Sequence, residues 1–277
     1  MIKKIIWWLA YKTRPFKGKE RLVYFFTKYS LSQEIKIKRQ DVKWHLKGID
    51  VNEFYIGIRK SHSELLFESI KQEININKSK IFWDIGANIG SICLPLLKKN
   101  STLKAILFEP SPSVLNKLIK NLSLNQDIIN RSKISTFALS KKTELAKFYE
   151  SNQLSNSGVG GLKKSHTSHR FSLNIQTYSG DDLIFKKKYP MPDIIKIDVE
   201  GFEYEVLYGL KKTLKKYHPT IFFEHCLYRI KERMHSKKTV IEFLKKFNYV
   251  IYNLKDKKKI NDYSELNLDT DFMAKYN

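Results

Sequence analysis

Cysteine is scarce. Cys93 and Cys226 are the two in 277 residues, far apart and in no Cys-x-x-Cys or histidine-rich spacing. Neither a disulfide framework nor a structural zinc cluster is therefore expected, and a reducing, cytoplasmic setting is. Long apolar runs are missing too. The longest near the start is the six-residue stretch Ile5–Ala10, far short of the roughly 20 residues that span a bilayer. Acidic residues are few, 28 against 51 Lys and Arg, for a formal net charge of +23. That balance excludes an acidic tail protein and raises the question of an anionic partner. Arginine is scarce as well, at eight residues against 43 lysines. Arginine is the side chain that forks onto bases and phosphates, whereas lysines scattered along a chain mainly give solubility and weak attraction, so nucleic acid is not the expected partner.

What is present suffices for a sizeable core. Hydrophobic residues make up 42% and aromatic residues 13% of the chain, which points to one large domain with an appendage. We place the appendage at residues 1–79 and the main domain at 80–277. Ile2, Ile5, Ile6 and Leu9 follow helical spacing between flanking lysines, with Trp7 and Trp8 on the apolar side. A helix docked on the core is the plainer reading of this segment, and contact of residues 1–14 with an anionic membrane surface is the alternative. Alternation over 34–58 suggests one or two short strands, and the Ser61/Glu64 pair marks a capping box for a helix over 61–74.

From residue 80 strand and helix signals alternate. Strands are expected at 81–85, 103–108, 134–139, 194–197, 220–223 and 249–254, with helices at 91–99, 112–121, 202–214 and 238–247. Continuous apolar strands joined by helices imply a mostly parallel α/β sheet covered on both faces. Ligands in such folds bind at the carboxyl ends of the strands, so reactive groups are expected just after each strand.

The first core strand runs into Trp83-Asp84-Ile85-Gly86-Ala87-Asn88-Ile89-Gly90. A dinucleotide fold wants G-x-G-x-x-G here to cradle a pyrophosphate, which a carboxylate at Asp84 would repel. The same carboxylate suits the amino end of a zwitterionic amino-acid moiety, directly or through water, as S-adenosylmethionine carries. The second strand ends at Glu109, 19 residues past Gly90, where an acidic side chain can accept both hydroxyls of an unphosphorylated ribose. Further on, Asp198 and Glu200 close the strand of Asp193–Gly201, with Lys196 on the same side as Asp198, and Glu224-His225 closes the next. These groups are expected to converge on one crevice, although Glu200 alone reads equally as a helix cap and His225 as a core histidine.

Together these segments resemble the FkbM-type S-adenosylmethionine-dependent methyltransferases. The resemblance covers about residues 80–225. It rests on WDIGANIG (83–90), FEPSPSVLNKLIKNLSLN (108–125), FALS (137–140), GVGGL (158–162), DIIKIDVEGFEYEVLYG (193–209) and FFEH (222–225). It implies the class I methyltransferase fold, a Rossmann-like, mostly parallel seven-stranded sheet whose last strand, supplied by Asp271–Lys275, is antiparallel. It also implies O-methylation of a hydroxyl on a sugar, glycan or polyketide-type product. By that likeness Asp84, Gly86, Asn88 and Gly90 line the methionine side of the cofactor, Glu109 its ribose, and Ala138 to Ser140 its adenine.

Methyl transfer from a sulfonium needs alignment and a base for the acceptor hydroxyl. Asp198 is the first candidate, then His225 and Glu224. A divalent cation held by the same three residues is the less favoured route. Methylation of a nucleic-acid base is disfavoured, since no Asp-Pro-Pro-Tyr tetrad and no Pro-Cys dipeptide occurs. The non-enzyme alternative, a scaffold on a degenerate methyltransferase fold, predicts loss of Asp84, Glu109 or Asp198, and all three are present. The glycine-rich stretch 155–162 reads equally as a lid and as a surface hairpin.

Overall fold

The computed structural model describes residues 34–47, 50, 53, 56, 63–151, 160–162, 169–226, 239–261 and 270–277. The N-terminal amphipathic segment, Ser61, most of the glycine-rich stretch and residues 163–168 lie outside them. In chain order the elements are β1 (Glu34–Arg39), β2 (Val42–Lys47), α1 (Glu64–Asn77), β3 (Ile81–Ile85), α2 (Cys93–Lys99), β4 (Lys104–Phe108), α3 (Pro112–Ser123) and α4 (Gln126–Ile129). There follow β5 (Ser132–Ser135), β6 (Ala138–Leu139), β7 (Glu144–Ser151), β8 (His169–Tyr178), α5 (Gly180–Phe185), β9 (Ile194–Ile197), α6 (Glu203–Gly209) and α7 (Lys211–Tyr217). The chain closes with β10 (Thr220–His225), α8 (Thr239–Lys245), β11 (Tyr249–Asn253) and β12 (Thr270–Tyr276).

Seven strands form one sheet in the order β11-β12-β10-β9-β3-β4-β5. The pairings among β10, β9, β3, β4 and β5 are parallel, and β12 runs antiparallel to both β10 and β11. Successive residues of a strand point to opposite faces, so each apolar strand feeds two cores at once. Phe82, Ile194 and Phe222 join the core made with α1, α2 and α3. Their neighbours Trp83, Ile195 and Phe223 join the core made with α5, α6, α7 and α8. The first core also takes in Val42, Trp44 and Leu46, so the inner face of β2 packs on the main domain.

Three local expectations are corrected. Helix α1 starts at Glu64 with Ser63 at its N-cap, and Ser63 makes no cap bond but donates its Oγ to Asp271 Oδ2 at 3.3 Å. The single strand expected over 134–139 is two strands, because the chain leaves the main sheet after Ser135 and enters a second sheet at Ala138. That sheet has the order β6-β8-β7, and its antiparallel β7/β8 pairing flanks the glycine-rich stretch as the hairpin reading implied, although the bounds of the two strands were not placed. The helix expected over 202–214 breaks at Leu210 into α6 and α7. Gly209, at the break, lies so close to the Ser140 carbonyl that a Cβ there would stand 2.2 Å from its oxygen.

Candidate active site

A cavity of about 430 Å³ opens at the carboxyl edge of the main sheet, within the size range of small-molecule sites. Gly86, Asn88, Glu109, Ala138, Asp198 and Glu224 line it, as do Lys196, Glu200, Ser63 and Asp271. Apolar cover comes from Phe108, Phe137 and Leu139, the last on β6, and from Phe148 of β7 and Leu162, which pack in one cluster. The described part of the glycine-rich stretch forms part of this wall. Gly161 and Tyr149 exchange backbone hydrogen bonds at 2.8 and 3.0 Å, which folds the stretch back onto β7.

Glu109 stands one residue beyond β4 and is buried. Its Oε2 accepts the Asn88 N–H at 3.0 Å and its Oε1 the Ser111 N–H at 2.9 Å. Each oxygen keeps a lone pair for a further donor from the cavity, which is the arrangement a ribose diol needs. Burial pushes its pKa up to about 7, against the pull of those two amides. The apolar ring and aliphatic groups beside Ala138 suit an adenine face. The residues present thus fit S-adenosylmethionine.

Two of the three expected loop residues, Gly86 and Asn88, stand at the cavity. Gly86 has φ +78°, and a Cβ on it would meet the Asp198 carbonyl oxygen at 1.9 Å. Its missing side chain makes room for the turn after β9. Gly90, at φ +90°, is crowded by Leu94 and Leu118 and does not line the cavity. Ser140 also lies away from it, pressed on Gly209.

Asp84 is not at the cavity surface either. One residue short of the end of β3, it is fully buried, and the parallel register sets it beside Lys196 of β9. Lys196 Nζ stands 3.2 Å from Asp84 Oδ1 and 3.3 Å from Asp198 Oδ2, and it donates to the Gly86 carbonyl at 2.8 Å. Burial raises the Asp84 pKa, and Lys196 opposes the rise. For Lys196 burial pulls the pKa down, but the carboxylates of Asp198 and Asp84 more than offset this and hold it above its ordinary value. Asp84 therefore reaches the site through Lys196, which also orients Asp198.

Of the catalytic candidates, Asp198 and Glu224 come together and His225 does not. Glu224 and His225 are successive residues of β10 and point to opposite faces, so His225 is buried edge-on against the ring of Phe272 at 5.5 Å between centroids. Asp198, Glu200 and Asp271 face Glu224 instead. The charge of Asp198 first, then burial, then Glu200 and Asp271 hold the Glu224 pKa at about 9. Burial and then Asp198 raise Asp271 to about 6. Among the described residues no three His, Cys, Asp or Glu side chains are grouped to hold a metal ion.

Four residues outside the expected set shape this edge. Glu203 is buried and accepts the N–H groups of Val199 and Gly201, holding the turn that carries Asp198 and Glu200, where Glu200 has φ +56°. Lys196 shows in the sequence as the residue sharing a strand face with Asp198. Asp271 with its partner Ser63 had no local signal, because only the antiparallel register of β12 sets Asp271 opposite Glu224.

The sheet order, the single antiparallel strand and a cavity at the carboxyl edge define a class I methyltransferase fold. Residues 84–251 match the family model of the methyltransferase FkbM domain, and the chain belongs to that family. Hexuronic acid methyltransferase AglP of Haloferax volcanii is 32% identical over 136 residues, covering 49% of this chain and 52% of its own, so the match spans about half of that relative. The 2-O-methyltransferase NoeI of Sinorhizobium fredii is 26% identical over 212 residues, covering 72% of this chain and 85% of its own. Among solved structures, methyltransferase FkbM from Methylobacillus flagellatus aligns at a TM-score of 0.47 and 17% identity over 71% of this chain and 43% of its own.

Proposed function

We propose that the chain transfers a methyl group from S-adenosylmethionine to a hydroxyl of a sugar or glycan. The observation that carries this reading is one cavity running from the buried Glu109 carboxylate to Asp198 and Glu224 at the neighbouring strand ends. The names of the two relatives, one acting on a hexuronic acid and one a 2-O-methyltransferase, support a sugar acceptor.

The cofactor, when bound, supplies a methyl group on a sulfonium. Glu109 accepts the ribose hydroxyls, and the apolar wall of Phe137, Leu139 and Phe148 excludes water. Asp198 would take the proton of the acceptor's hydroxyl, to which the bound cofactor would supply the methyl group. Lys196 and Glu203 fix Asp198 in place, which supplies the positioning on which an in-line displacement depends. Asp84, Gly90 and Ser140 act behind the cavity wall.

Label transfer from methyl-labelled cofactor to a panel of sugars and lipid-linked glycans tests this. Asp198→Asn should lower turnover on any acceptor found by about 10²–10⁴-fold while leaving S-adenosylhomocysteine affinity within a few-fold. Turnover unchanged in that variant would remove Asp198 from its role. No helix among the described residues is long and apolar enough to cross a membrane. Contact of residues 1–14 with anionic lipid is part of the proposal, and it is abandoned if the full chain and a chain lacking them both ignore anionic liposomes.

A further inference from the structure

The second sheet sends a carboxylate into the main domain. Glu150 of β7 is 2% exposed and lies two residues past Phe148, on the strand face that walls the cavity. Its Oε1 accepts the Ser111 hydroxyl at 3.0 Å and the Ser113 N–H at 3.2 Å. Ser111 in turn donates its backbone N–H to Glu109 Oε1 at 2.9 Å. One serine thus stands between two buried acids, joined to Glu109 through its amide and to Glu150 through its hydroxyl. Helix capping does not account for this arrangement. Ser111 is itself the N-cap of α3, its Oγ accepting the Val114 N–H at 3.4 Å. A carboxylate is costly to bury, and Glu150 is among the charges that push the Glu109 pKa up. Its Oε2 is buried as well, with no hydrogen-bond partner among the described residues. For stability alone a neutral acceptor would serve better at this place.

We propose that Glu150 is a positioning residue for cofactor binding, fixing through Ser111 the Glu109 carboxylate that takes the ribose hydroxyls. The inference rests on the reading of Glu109 as the ribose acceptor. A diol can bridge both oxygens of a carboxylate only when the plane of that carboxylate is set, and the amides of Asn88 and Ser111 set it. Glu150 pins the second of these amides, holding the Ser111 hydroxyl on one side and the Ser113 N–H on the other. The β7 strand therefore acts on the cofactor site twice, as apolar wall at Phe148 and through Ser111 at Glu109.

The test is calorimetry on the full chain at about pH 8, above the Glu109 pKa of about 7, with S-adenosylhomocysteine and with its analogue lacking both ribose hydroxyls. The wild type should bind the first about 30-fold or more tightly, since the analogue cannot donate to the carboxylate. Glu150→Ala should cut that ratio about fivefold while affinity for the analogue stays within about twofold. Glu150→Gln keeps an acceptor for Ser111 and Ser113 and should restore the wild-type ratio. Ser111→Ala removes the hydroxyl that Glu150 holds and should lower the ratio about threefold, which keeps the test open if Glu150→Ala does not fold. A merely structural role would weaken both ligands alike. A ratio unchanged in Glu150→Ala or in Ser111→Ala, equal weakening of both ligands, or no rescue by Glu150→Gln overturns the proposal. A wild type that binds both ligands equally overturns instead the ribose role of Glu109, and one that binds neither overturns the methyl-transfer reading beneath it.

Discussion

At the scale of single residues, Lys196 organises the site. It is buried in the middle of the sheet, and its ammonium joins Asp84 of one strand, Asp198 of the next turn and the carbonyl of the glycine loop. Removing it leaves Asp84 as a buried charge without a counter-charge, which typically costs about 3–5 kcal/mol. Lys196→Met should therefore lower unfolding stability by about that amount in denaturant titration, and adding Asp84→Asn should restore most of it. A Lys196→Met chain of native stability would show that the pair is not what holds the loop. The place of Glu109 at the cavity was legible in the sequence, because a residue just past a parallel strand stands at the carboxyl edge of the sheet, which local spacing reveals. The place of Asp84 was not legible. A residue one position from the strand end is covered or exposed according to how the loops fold over it, and local sequence does not carry that.

Among the elements, α3 and the turn that follows it into α4 link the N-terminal hairpin to the main domain. Asn121 Oδ1 accepts the His45 N–H at 2.8 Å, and Asn125 Oδ1 accepts the Lys43 N–H at 2.9 Å. Asn125 Nδ2 donates to the Lys43 carbonyl at 2.8 Å, so its amide pairs with β2 as a neighbouring strand would. Asn125→Ala strands a donor and an acceptor of β2 and should cost about 1–3 kcal/mol, read as a shift in the denaturation midpoint. A shift of zero would mean that water replaces the side chain at no cost. The parallel strands were readable as short apolar runs, since burial on both faces leaves only apolar residues. The bounds of β7 and β8 were not readable. Leu145 and Phe171 on them are exposed, while their partners are supplied by a pairing across a long connection. The same dependence on distant register hid Asp271, even though the last strand itself was anticipated.

Over the whole molecule, the carboxylates at the sheet edge set the pH dependence of stability. Glu109 and Glu203 have folded pKa values of about 7, Asp271 about 6 and Glu224 about 9, all above the ordinary carboxylate values of 3.8 to 4.5. Between those limits the folded chain holds protons that the unfolded chain has released. Stability must then fall as pH rises, from about 4.5 to about 7 for most of these groups and on to about 9 for Glu224. The thermal midpoint of the ligand-free protein should decline from about pH 5.5 to 8.5, and Glu224→Gln should flatten the upper part of that decline. A midpoint that rises over this range, or an identical profile in the variant, would contradict the charge arrangement. Surface carboxylates such as Asp41 and Asp182, whose pKa values are lowered by lysine partners, titrate at lower pH and do not contribute in this window.

The proposed function depends first on the cavity holding S-adenosylmethionine with its ribose on Glu109. Calorimetric titration with S-adenosylhomocysteine of the wild type, Glu109→Gln and Asp84→Ala tests it without knowledge of the acceptor. The wild type should bind with micromolar affinity and Glu109→Gln about tenfold or more weakly, as expected when a buried charge-assisted hydrogen bond is removed. Asp84→Ala should weaken binding as well, through the freed Lys196. A folded wild type that does not bind, or a Glu109→Gln variant that binds as tightly as the wild type, would contradict the account.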